Sequence, residues 1–381
     1  MDCTCTWIRD LGYCCTRVPG DQEKIMIHAL TNGGLYACLS ILIGAGLLSF
    51  SDEKLAQRRK TWALIALTVP VLAAFPIIEL AVMLQEYREG SFLSSLFHVL
   101  TQLKGGQAWL LLLSLAILHV ILLNTMKQPK VAYSFSLLLI AGMILTQSVT
   151  GHSASTASFQ GALFHTVHFI GVGIWSGILL VVSFFSDHEH QWESFVRWFT
   201  KVAIGCIVWI TLTGVAMSLL LSESIVGSWM LSYGQALLVK HLLFIVLLLF
   251  AFVNGFLMKR LVAEDAGFSP RRWWKAESLL IVFIYTITGY MTEQETPHNI
   301  KQTLEQQDPS VLFRIFTTVE GFGPLTLAPN LISISSLALG FIFLLFTGVM
   351  IKRNSLAGTF FVSAMVLWCL YLGLMSSVSM S

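Results

Sequence analysis

Ten stretches of about twenty predominantly apolar residues constrain this chain more than any other feature. They fall near 25–50, 61–84, 107–126, 131–150, 159–185, 195–221, 235–258, 273–292, 331–350 and 358–378. A helix of that length crosses the bilayer core with its backbone hydrogen bonds satisfied internally, which an isolated strand or loop cannot do. The expected fold is therefore all-α, a polytopic transmembrane helix bundle of about ten spans. Composition agrees, with 55% hydrophobic and 12% charged residues, where an ordinary soluble domain carries about 25% charged residues. A net charge of +2, spread over short loops rather than gathered in a patch, excludes nucleic-acid binding.

Pro70 and Pro76 are expected to kink the second run rather than end it, because neighbouring helices can satisfy the carbonyls they release. Ser91 to Leu103 reads as a short amphipathic helix at the surface. Residues 1–24 form a polar tail carrying Cys3, Cys5, Cys14 and Cys15, with no apolar core of a cleavable signal. That tail is either a metal-capturing or disulfide-bearing segment or an extension outside the chemistry. Glu293 to Asn330, punctuated by Pro297, Pro309, Pro324 and Pro329, is too short for a core of its own. Residues 301–330 are read as an outer loop and 331–381 as two final spans.

Cytoplasmic loops carry the excess of lysine and arginine. The loops after odd-numbered runs hold fifteen of them and the opposite side seven, with Lys240 inside a run. Both termini are expected outside.

Imidazoles inside apolar helices then become informative, since an ionisable group at membrane depth is by default a functional candidate. His165 and His168, three residues apart, share a helical face, with Trp175 two turns further along. They lie roughly 9 and 13 Å inward from Phe159 on the outer side. His152 is read in a short outer loop just before that run, His28 at the outer end of run one and His241 at the outer start of run seven. Met26, Met143, Met217 and Met291 also fall in outer halves. Neutral imidazole and thioether suit copper, thioether Cu(I) in particular. His152, His165, His168, His28 and His241 are thus the candidate metal ligands. The competing explanation for any one of them is a hydrogen bond to a neighbouring helix. His119 lies nearer the midplane, and His188 and His190 inside. Gly171, Gly173 and Gly177 allow close helix approach. Lys240 and Glu277 read as anchors or packing groups, whereas Asn254 fits either an interhelical bond or the lining of a path.

Four stretches resemble the copper resistance protein D family of bacterial membrane copper transporters. They are Thr150-Gly151-His152 followed by His168, Trp175 and Gly177; Tyr233-Gly234-Gln235 through Lys240; Asn254; and Glu277 through Thr292 with Pro297. The resemblance covers roughly residues 25–300 and implies transfer of copper across the bacterial cytoplasmic membrane, generally inward. It also implies a small extracytoplasmic copper-binding protein as donor. This sequence departs from the pattern in its cysteine-rich tail, its two final helices and the lack of a fused copper-binding domain. The expected protein is a transporter of copper ion and not an enzyme. The alternatives are a membrane b-type cytochrome acting as a quinol oxidoreductase, with haem held between histidines of neighbouring helices, and a copper-delivery factor for oxidase assembly.

Overall fold

The computed structural model describes residues 21–88, 90–150, 152–186, 192–221, 224–257, 260–261, 270–294, 300–306, 308–317 and 324–380. Cys3, Cys5, Cys14, Cys15, His188, His190 and His298 lie outside them, and of His152 only the backbone is described. The chain forms helices α1 (Asp21–Leu48), α2 (Glu53–Gln57), α3 (Arg59–Leu72), α4 (Phe75–Arg88), α5 (Phe92–Gln102), α6 (Lys104–Thr125), α7 (Pro129–Thr150), α8 (His152–Phe184) and α9 (Trp192–Leu221). There follow α10 (Ile225–Ser228), α11 (Ser232–Phe252) with a π-helical turn at Val253–Leu257, α12 (Arg271–Thr292), α13 (Ile300–Gln306) and α14 (Val311–Phe316). Strand β1 (Leu325–Leu327), helices α15 (Leu331–Lys352) and α16 (Leu356–Met375) and strand β2 (Val378–Met380) complete the chain.

Nine helices among the described residues are long and apolar enough to cross a membrane, with α3 and α4 together making one, Arg59–Tyr87. The remaining expected run is α12, a helix of 22 residues whose first two turns carry Arg271, Arg272, Lys275 and Glu277 and so dilute its apolar character. The molecule is a multi-pass membrane helix bundle.

Two compact units divide the chain, one of Leu30–Leu220 with Gly255–Thr286, the other of Met1–Ala29, Leu221–Asn254 and Ile287–Ser381. In the first, the two prolines interrupt the second span with a two-residue turn between α3 and α4. Ala74 N–H bonds Val71 O rather than Pro70 O, and the Trp109 indole of α6 donates to the released Pro70 carbonyl at 2.9 Å. A neighbouring helix thus satisfies a carbonyl that the break between α3 and α4 frees. Arg59 donates to the carbonyls of Leu123 and Met126 at 2.8 and 2.7 Å, closing the C-terminal end of α6. The amphipathic helix expected at Ser91–Leu103 is α5, capped by the Ser91 hydroxyl. It buries Val99 against α4 and α6 while Leu93 and Phe97 stay exposed.

The centre of this unit is the meeting of α1, α8 and α12. A Cβ on Gly177 would overlap the Ser40 carbonyl oxygen, and one on Gly44 would overlap the Gly177 backbone, so α1 and α8 touch main chain to main chain. Beside that contact Tyr285 Oη lies 2.6 Å from both Ser40 Oγ and Ser176 Oγ. Ser176 donates its proton to Val172 O at 2.6 Å, so Tyr285 donates to Ser176 and accepts from Ser40. Seven residues along each helix, Ser278 of α12 donates to Ser183 of α8 at 3.1 Å. Arg271 completes the seam by donating to the Ser183 and Ser186 carbonyls beyond the end of α8. Hydroxyls buried in an apolar bundle satisfy one another across helices in this way.

The second unit explains two features the sequence left open. Tyr371 of α16 donates to Gln235 Oε1 at 2.6 Å, and Gln235 Nε2 donates to Trp229 O at 2.6 Å. Gly234 is required because a Cβ there would overlap the Ser228 carbonyl. The final helices therefore pack on α11 through the Tyr233-Gly234-Gln235 stretch that carried part of the resemblance. The expected outer loop is likewise folded. Leu304, Phe313 and Leu325 join Trp229, Met230, Leu242, Tyr371, Met375 and Val378 in one apolar cluster. β1 pairs antiparallel with β2, Thr326 opposite Ser379. Those residues borrow their core from helix ends, which is why a segment too short for its own core is ordered.

Candidate site on helix α8

α8 runs unbroken through 33 residues from His152, longer than the roughly 20 needed to span the bilayer core. His165 and His168 sit midway along it, both half-buried. His165 Nδ1 is 2.9 Å from Ser148 Oγ on α7, and Ser148 gives its single proton to Ile144 O at 3.0 Å. His168 Nδ1 is 2.9 Å from Thr213 Oγ1 on α9, whose proton goes to Trp209 O at 2.8 Å. Because each hydroxyl has already given its proton to a carbonyl, these two contacts make each imidazole a donor through Nδ1–H. Both rings then carry their lone pair on Nε2, the tautomer in which a metal-ligating histidine is held by an outer hydrogen bond.

The two rings are anchored toward different helices. Three residues along a helix is about 60° short of a full turn, and that angle is enough to turn His165 to α7 and His168 to α9. His165 lines a crevice too narrow to hold a water molecule, with Tyr36, Leu39, Ile144, Gln147 and Phe169. Beneath it Tyr36 packs on Phe169 at 5.5 Å and on Tyr285 at 6.2 Å between ring centroids. An aromatic layer thus separates the His165 crevice from the Ser40–Tyr285–Ser176 hydroxyls. Trp175 is 2% exposed, buried below His168 on the same side of α8.

The other expected ligands stand differently. His152 was read in a loop directly above His165; instead the helix includes it, which places its backbone about 20 Å from that of His165 along the axis. A single ion cannot be held by both. His28, in the other unit, is buried with Nδ1 3.5 Å from Glu293 Oε2. His241 lies nine residues past the start of α11 rather than at its end, with an exposed side chain whose Nδ1–H donates to Leu237 O at 2.7 Å. Among the described residues no group of three or more histidine, cysteine, aspartate or glutamate side chains converges as a metal site. His119 is 1% exposed, with Ser136 Oγ 3.3 Å from Nδ1. Cys206 and Cys369 are buried, and Cys38 is half-buried, all as free thiols. Glu277 is buried.

Sequence reasoning missed Ser148, Thr213, Gln147 and Tyr36. Each is an ordinary residue of an apolar run, and only the question of which hydroxyl on a neighbouring span shares the depth of each histidine would have raised the first two.

Residues 26–162 match the family model described as copper resistance protein D-like, N-terminal domain. Residues 193–291 match the model described as copper resistance protein D. His165, His168 and Trp175 fall in the interval between the two matches. Copper transport protein CutJ of Bacillus subtilis (strain 168) is 26% identical over 291 residues, covering 69% of this chain and 52% of that relative. The chain thus spans about half the length of the curated relative it matches. No solved structure matches. Two consecutive matches that follow the order of the helices, together with the copper-transport relative, place the chain in one group: it belongs to the copper resistance protein D family.

Proposed function

We propose that this protein carries copper inward across the bacterial cytoplasmic membrane, with Cu(I) bound by the Nε2 atoms of His165 and His168 on the way. The observation that carries the reading is the pair of hydroxyl anchors. Ser148 and Thr213 each commit their own proton to a helix carbonyl and so hold both imidazoles in the metal-binding tautomer. Two imidazoles with thioether or amide neighbours suit a cargo that must leave again better than a closed thiolate cage. His152, about 20 Å outward along α8, is the capture point; His28 and His241 are candidate ligands of the other unit, one facing Glu293 and the other bonded to its own helix. A small extracytoplasmic copper-binding protein is the expected donor.

Purified protein titrated anaerobically with Cu(I) against a chromogenic chelator tests this. Wild type is expected to compete for the ion. The Ser148→Ala/Thr213→Val variant should bind roughly 10–100-fold more weakly because the rings lose their orientation. Equal affinity in that variant counts against the site. The same sample's visible spectrum decides the cytochrome alternative, because a strong Soret band that shifts on reduction would make the histidines haem ligands.

The outward position of the histidine face rests on both termini lying outside, as the distribution of lysine and arginine indicates. A Ser381→Cys variant should react with a membrane-impermeant maleimide on intact cells. Reaction only after permeabilisation reverses the orientation and removes the outward histidine face.

A further inference from the structure

Helix α14 carries an apolar face that no described residue of its own unit covers. Phe313 is 1% exposed and ties the helix to the cluster beneath, whereas Val311, Leu312 and Ile315 are 62%, 41% and 65% exposed. Three bulky aliphatic side chains on one short helix of a loop would be a liability in water.

The depth of the helix identifies what covers them. Phe316 packs edge-on against Trp368 at 5.5 Å and Tyr371 at 5.4 Å. These residues stand seven and four positions before Met375, the last residue of the membrane-spanning α16. At 1.5 Å per residue they lie about 10 and 6 Å inside the end of that helix. α14 is therefore not above the membrane but alongside the final turns of a span. Trp368 is itself 51% exposed, and Leu331 and Ile332 at the start of α15 are 84% and 60% exposed, so the apolar surface of α14 continues that of the spans. The backbone is prepared for such surroundings. Ser310 N–H donates to Met230 O at 2.7 Å, and Arg314 and Thr317 N–H close the turn within the helix at 3.1 and 3.0 Å. Arg314, exposed and 3.9 Å from Asp308, supplies the charge an interfacial helix presents to headgroups.

We propose that α14 is a membrane-inserted interfacial helix, its Val311, Leu312 and Ile315 face resting in lipid on the side of the bilayer where α16 ends. It anchors α13, α14 and β1 to the bilayer, and these in turn hold the Trp229–Leu231 turn that opens α11. The occupant of the face is lipid rather than a partner protein, because the face is continuous with the lipid-exposed sides of α15 and α16 and lies at their depth.

The test uses full-length protein reconstituted in phosphatidylcholine and phosphatidylglycerol vesicles, with its seven cysteines replaced by serine and a nitroxide placed through Ile315→Cys or Val311→Cys. Glu305→Cys on α13 is the aqueous control. Labels at 315 and 311 should collide with dissolved oxygen several-fold more than with a water-soluble nickel chelate, and the label at 305 should show the reverse. Gel filtration of each labelled protein as a single species establishes that it is folded. A nickel chelate that reaches 315 and 311 as freely as 305 overturns the proposal and leaves the face to a protein partner.

Discussion

Cells producing the His165→Ala/His168→Ala double variant are expected to accumulate copper at the level of cells lacking the protein, while the variant itself is present in normal amount. The ligand change is total, since alanine offers no donor and both Nε2 lone pairs are lost. The structural change is small, because each ring is half-buried and makes its hydrogen bond to a hydroxyl that keeps its own carbonyl acceptor. Loss of one imidazole should lower accumulation strongly. Loss of both should approach the background, since neither Nε2 donor then remains. His188→Ala and His190→Ala, on the expected inner side, should change uptake far less. Measured by cell-associated copper after a short exposure, wild-type accumulation in the double variant returns both rings to a role in helix packing.

A second large effect is expected at the α1–α8 crossing. Gly177→Leu and Gly44→Leu each place side-chain atoms where the partner main chain already is, overlapping the Ser40 carbonyl and the Gly177 backbone respectively. Overpacking typically costs about 1–3 kcal/mol even where side chains can yield, and main chain yields less than side chains. The whole stability of a folded domain is only about 5–15 kcal/mol. Both variants should therefore elute as aggregate, or at much reduced yield, in fluorescence-detected gel filtration. Gly205→Leu and Gly348→Leu, whose Cβ positions meet nothing within 4 Å, should elute like wild type. A normal profile for Gly177→Leu would show that the two helices can part by a side-chain width without loss of the fold.

The spans were legible because lipid imposes one dominant requirement. The apolar runs near 107–126, 131–150 and 331–350 reappear as Lys104–Thr125, Pro129–Thr150 and Leu331–Lys352 with ends shifted by two or three residues at most. Where a second requirement competes, the reading was incomplete. α12 is helical although its first turns are charged, and Arg271 spends its hydrogen bonds on the buried Ser183 and Ser186 carbonyls at and just past the end of α8. His152 continues a helix because Ser153 to Phe159 contain no proline or glycine to stop it, a point the search for an outer loop passed over. The folding of residues 300–330 was not legible at all, since it depends on Met230, Tyr371 and Val378, which are far away in sequence. The candidate site divides the same way. Spacing along α8 singled out His165 and His168, but their divergence toward Ser148 and Thr213 follows from which helices flank α8, and no local pattern encodes that.

The main-chain contact between Gly44 and Gly177 has a mechanical consequence. Helices that interlock through side chains must climb out of one notch and into another to turn, because packed interfaces are bistable. Bare backbone at the crossing point offers no such notch. The pair resists being pushed together, yet around that point the two axes can swivel with little friction. Beside the pivot their angle is held by a latch, Tyr285 bridging Ser40 and Ser176, and by Ile43 of α1 packed against Gly173 of α8. Interhelical hydrogen bonds in membranes are worth on average about 0.6 kcal/mol each, close to thermal energy. A light latch on a stiff pivot, one layer below the His165 crevice, lets α8 rock against α1 without unpacking either helix.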